Sequence, residues 1–135
     1  MRLPSKFHNM KNNSILVGSE FKPGAEGNAQ IDRALGFEAE VFAGVAQRRF
    51  KRAIDGIQWH PCPDYCGDDT LAYEMLEVKN VLIFILKGRL SPKSPMHYVA
   101  VMEADDKLYH TPQFEASGYA AACAVWYVAT ELSHK

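Results

Sequence analysis

Residues Val81–Leu86 read Val-Leu-Ile-Phe-Ile-Leu, an apolar run with no polar break. Successive side chains of a strand point to opposite faces, so a run that is apolar at every position fits a strand buried on both sides. The run therefore predicts the centre of a sheet. It is far too short to span a bilayer. A second constraint lies near the C-terminus, where Glu115–Glu131 carries Tyr119, Ala120–Ala122, Cys123, Ala124, Val125, Trp126, Tyr127 and Val128 almost without a polar residue. A helix apolar nearly all round is a buried helix, and this one is expected to pack on the sheet and on a neighbour as well. With 135 residues, the chain is long enough to bury such a core without disulfides or a structural metal, and it has the usual size of one domain.

Other elements follow from local signals. Residues 1–27 are rich in Asn, Ser, Lys, Gly and Pro and predict a mostly irregular N-terminal arm, leaving 28–135 as one α+β domain. Ile31 and Leu35 are four apart, with Asn28 placed to cap a helix and Gly36 to end it, which predicts a helix over 28–36. Glu38–Ala43 is a candidate strand, and the basic run Gln47–Arg52 reads as a solvated edge strand. Residues 54–59 read as a turn and a short extended piece. His60–Gly67 carries Pro61 and Pro63 and reads as loop. Asp68 or Asp69 can cap a helix over 68–79 whose apolar face is Leu71, Met75 and Val78, with Ala72 and Leu76 beside it. Met96–Met102 and Leu108–Thr111 predict two strands joined by a tight turn at Asp105–Asp106–Lys107. The fold expected is α+β, with one small antiparallel sheet of four or five strands flanked by three helices near 28–36, 68–79 and 115–132, an α/β/α-like sandwich.

The series Ala34-Leu35-Gly36-Phe37, a loop reaching Trp59, Pro63-Asp64-Tyr65-Cys66-Gly67-Asp68-Asp69 at a helix start, and Glu115-Ala116 followed by Tyr119-Ala120-Ala121-Ala122-Cys123-Ala124 resembles the ABA-sandwich domain of small bacteriophage and prophage proteins. The resemblance covers about Gln30–Leu132. Phe37 stands where that family has an aromatic after Leu-Gly, and Cys66 where it often has Ser. The resemblance implies helices flanking a small antiparallel sheet and a phage or prophage origin. It implies no catalytic residues.

Three constellations carry chemistry. His60, Cys62 and Cys66 are zinc-ligand types on one short stretch, although structural zinc usually takes four ligands in paired spacings. Cys66 sits just before a helix start, and His97 and Asp105 follow in the order Cys, His, Asp of a thiol hydrolase. Aspartates beside Cys66 oppose a thiolate, and no oxyanion hole is evident. Arg48, Arg49, Lys51 and Arg52 around Phe50 form a basic patch that could grip a phosphate backbone and stack a base. In a strand, Arg49 and Lys51 share one face while Arg48, Phe50 and Arg52 share the other. The formal charge of −1 argues against a general polyanion binder. An odd count of three cysteines, with no apolar leader at the N-terminus, predicts reduced thiols and a cytoplasmic protein.

With the layout complete and each catalytic set partial, the expected function is a non-enzymatic accessory protein that binds a macromolecule. The partner is a host or phage protein, counter-defence being a fitting role, and no membrane or cofactor is involved. A zinc or Cys/His site and nucleic-acid binding are the alternatives. An exposed sheet edge or the over-apolar last helix leaves room for a homodimer.

Overall fold

A computed structural model describes residues 14–52 and 56–132, without the side chains of Lys51 and Arg52. Residues 1–13, about half of the predicted irregular N-terminal arm, lie outside the described residues, as do residues 54 and 55 of the predicted turn. The described elements run β1 (Ser14–Leu16), α1 (Ala25–Ala34), β2 (Ala39–Phe42), β3 (Val45–Arg52), β4 (Gly56–Pro61), α2 (Asp69–Val78), β5 (Leu82–Gly88), β6 (His97–Ala104), β7 (Lys107–His110) and α3 (Ser117–Tyr127). A π-helical turn, Val128–Leu132, closes the list. The α+β class and the three helices are as expected.

The strands divide between two sheets, where one was expected. One has the order β1-β7-β6-β5 and the other β2-β3-β4. The second is a meander of neighbours in sequence. Its first turn, Ala43–Gly44, has positive φ at both residues (50° and 80°), the type I′ geometry whose twist matches a two-residue hairpin. The first sheet is not wholly antiparallel, because β1 pairs with β7 in parallel, Ile15 opposite Tyr109. Asp105 and Asp106, with φ of 52° and 63°, form the predicted tight turn between β6 and β7.

The run that predicted the sheet centre lies at an edge. Among the described residues β5 pairs with β6 only, and Leu82 is 48% exposed. The doubly buried strand is β6, where Ala100, Val101 and Met102 have no exposed surface, since β6 has β5 on one side and β7 on the other. Both runs are continuous and apolar, and nothing local distinguishes which one sits between neighbours.

Ala100, Met102 and Tyr109 face the helices and join Ala72 and Leu76 of α2 and Ala120–Val125 of α3 in the main core. The predicted buried character of α3 holds along its length. In α2, Asp68 caps the first turn as expected, its carboxylate accepting from the Leu71 N–H at 3.2 Å. Val78, predicted on the apolar face, is 81% exposed, and the buried stripe runs through Ala72 and Leu76. Val17 and Phe21 are also in this core, so the predicted arm enters the domain no later than β1.

Helix α1 starts at Ala25, three residues before the predicted cap Asn28. It ends as predicted at Gly36, whose φ of 99° suits the left-handed position after a helix. The Gly36 N–H donates to the Arg33 carbonyl and the Phe37 N–H to the Asp32 carbonyl, which is a Schellman motif. It turns Phe37 back over the meander.

Candidate functional site

The meander rests on α1 through two kinds of contact. Ala29, Ala39 and Ala46 form a small apolar cluster with Ala25, Val41 and Cys62 at its margin. Beside it, Asp32 is fully buried, with 0% exposure, and Arg48 is 17% exposed. Arg48 donates from Nε to Asp32 Oδ2 at 2.8 Å and from Nη2 to Oδ1 at 2.6 Å. Tyr65 donates its hydroxyl to Asp32 Oδ1 at 2.7 Å. The Arg48 guanidinium also lies 3.7 Å from the centre of the Phe37 ring, so the helix-end turn and the ion pair hold one another. Burial pushes the Asp32 carboxyl up, but bonds from Arg48, the Cys62 thiol and Tyr65 outweigh it and hold the group below its ordinary 3.8.

Asn28 braces the next loop instead of capping α1. Its Nδ2 donates to Asp64 Oδ1 at 3.1 Å, and its Oδ1 accepts from the Cys66 N–H at 3.0 Å.

The predicted basic patch is thus taken apart. β3 is the middle strand of the meander and not an edge, and alternation turns Arg48 inward to Asp32. Arg49 points to the other face and pairs with Glu38. Phe50 is on the inner side beyond α1, its ring edge-to-face with His60 at 5.1 Å. The side chains of Lys51 and Arg52 are outside those described.

His60 and Pro61, predicted as loop, belong to β4. Pro61 is accommodated because its position bonds away from β3. The Cys62 N–H donates to the Ala46 carbonyl at 2.9 Å, which fixes the alternation so that His60 and Gln58 bond to β3 while Ile57, Trp59 and Pro61 face outward.

The predicted zinc residues do not converge: His60 meets Phe50 edge-to-face, Cys62 is drawn to Asp32, and Cys66 is buried in the main core. Among the described residues no three His, Cys, Asp or Glu side chains are grouped to hold a metal ion. Cys66, His97 and Asp105 line three separate clefts. His97 opens β6 and Asp105 follows its end, roughly 25 Å apart at strand rise. Burial pushes the Cys66 thiol up to about 11, Cys62 to about 12 and Cys123 to about 12, so none is poised as a thiolate.

What the sequence reading passed over is the outer face of the meander. Phe42, Val45, Ile57 and Trp59 lie there between 36% and 50% exposed, with the Phe42 and Trp59 rings edge-to-face at 4.9 Å. An open cleft of about 620 Å³ adjoins them, lined by Phe37, Ile57, Trp59, Arg33, Arg49 and Glu38 among others. The available signal was alternation, since Ile57 and Trp59 are two apart and flanked by Gly56, Gln58 and His60.

Among the described residues no helix is long and apolar enough to cross a membrane. No family model, curated protein or solved structure matches the chain, and its function is read from this geometry.

Proposed function

We propose that this chain is a non-enzymatic phage or prophage accessory protein that binds another protein, of the host or of the phage, through the outer face of β2-β3-β4. The observation that carries the reading is the exposed set Phe42, Val45, Ile57 and Trp59 on one side of a regular sheet. Large apolar side chains grouped on a monomer surface mark interaction sites more often than chance, and aromatic anchors contribute most to protein interfaces. The ion pairs of Arg48 and Arg49 with Asp32 and Glu38 leave those two cations already neutralised, which supports a protein partner over a phosphate backbone. Counter-defence is one use of such binding.

The test compares immobilised wild type with the Ile57→Ser, Trp59→Ser double variant in a bacterial host lysate, with cross-linking and mass spectrometry as readout. A host protein retained by the wild type and depleted about tenfold by the variant, a difference of roughly 1.4 kcal/mol, is the expected result. Equal recovery by both overturns the reading, as does retained nucleic acid that is released by moderate salt.

A further inference from the structure

We propose that two copies of this chain pair edge to edge through β4, in antiparallel fashion about a two-fold axis at Gln58, to make one six-stranded sheet. The two edges of the meander differ in a way that points to β4. The β2 edge is blocked: Arg33 donates from Nε to the outward Ala39 carbonyl at 2.9 Å, and its guanidinium also lies against Glu26 and Glu40. Charged side chains over an edge are a usual guard against further pairing. β4 carries no such guard among the described residues. It is exposed at every position except the half-buried Gln58, and no described group bonds the outward side of Ile57 or Trp59.

The strand is also complementary to itself. Ile57 and Trp59 are the positions whose N–H and C=O face outward, as the bonding alternation of β3 and β4 requires. With Gln58 on the axis, Ile57 of one copy stands opposite Trp59 of the other, twice over. Each such pair exchanges two backbone bonds, giving about four between the copies. Their side chains meet on the outer face, apolar against apolar, and no charged residue of β4 opposes its like. Pro61, which lacks an N–H, lies past the paired stretch. The symmetry is isologous and closes at two copies, so the edge is consumed instead of propagating a fibre.

Area gives the second reason. Strand spacing and rise put one outer face of the meander at roughly 250 Å², about a third of the ~800 Å² per partner that a stable interface uses. Edge pairing joins two such faces into one continuous surface with both Phe42–Trp59 pairs on it. The inference deepens the binding reading, since it doubles the continuous face open to a partner to about two-thirds of that area, while the pairing itself stands on β4 alone.

Sedimentation equilibrium of the purified chain, from about 1 to 100 μM, tests it with the protein as its own probe. The wild type should shift from one chain mass to two as concentration rises. Ile57→Pro removes an outward donor and no bond to β3, and it should remain at one chain mass throughout with an unchanged circular dichroism spectrum. Ile57→Lys serves where the proline variant does not fold. Gln58 occupies a non-hydrogen-bonded pair with itself, where Cα atoms are about 4.5 Å apart, within disulfide reach. Gln58→Cys should therefore give a cross-linked dimer on mild oxidation, and the wild type should not. A wild type monomeric at the highest concentration overturns the proposal, as does a dimer that survives Ile57→Lys or fails to cross-link through Gln58→Cys. A monomer that still loses its host partner on Trp59→Ser would sink the dimer and leave the binding reading standing.

Discussion

The two sheets are held to the molecule by opposite means. The four-stranded sheet is fixed by volume, with Met102, Ala100 and Tyr109 packed among Leu76, Ala72 and the buried length of α3. The three-stranded meander has three alanines in its buried cluster and rests otherwise on Asp32, Arg48 and Tyr65. Apolar burial is additive and tolerant of small shifts. A buried ion pair is neither: it is satisfied only in one geometry, and it becomes a liability when one partner is removed. The contrast teaches that the meander is docked by specificity more than by bulk, which leaves its outer face free of structural duty.

The largest effect is expected from Asp32→Ala, which strands the Arg48 guanidinium in a mostly buried site. It should cost about 3–5 kcal/mol in urea unfolding, and amide exchange should rise in β2, β3 and β4 while β5 and β6 keep their protection. Loss of protection in both sheets together would break the comparison. Acid does the same in situ. Asp32 is held below its ordinary 3.8 when folded, so its contribution is fully present above that unfolded value and is lost as pH falls through the lower folded one. The meander should loosen first in an acid titration followed by exchange, and Asp32→Ala should remove that component.

Met102→Ala, by comparison, should cost about 2–5 kcal/mol through the cavity it leaves, with exchange rising in both sheets. A local effect confined to β6 would show that the main core is less cooperative than its packing implies. Tyr65→Phe sharpens the contrast on a smaller scale. It removes the hydroxyl bond to Asp32 and leaves the pair with Arg48 in place, for about 1–2 kcal/mol, seen in the meander amides and not in β6. The smallest effect belongs to Arg49→Gln, whose ion pair with Glu38 is open to solvent and contributes less than about 1 kcal/mol.

Much of the fold was legible because its signals are local. Asp68 as a cap, Gly36 as a helix stop, the Asp105–Asp106 turn and the buried length of α3 each depend on neighbours within a few residues. The candidate surface was less legible. The basic run was visible, but Arg48 turned inward to an acid sixteen residues earlier, and no spacing rule links Asp32 to Arg48. His60, Cys62 and Cys66 are close in sequence, yet one sits in a strand, one beside Asp32 and one in the main core. Proximity along the chain says little about convergence once a strand ends between the residues.

By itself the sequence determined the three helices, the tight turn at Asp105–Asp106 and the burial of the last helix, because periodicity, capping and turn chemistry act over a few residues. Only the tertiary structure decided how the strands are shared between two sheets, that β6 and not β5 takes the centre, and that Ile57 and Trp59 stay exposed while Asp32 does not. Those outcomes turn on which elements become neighbours. Long-range pairing joins residues whose own local preferences are indifferent to the choice, so it is settled by the packing of the whole chain.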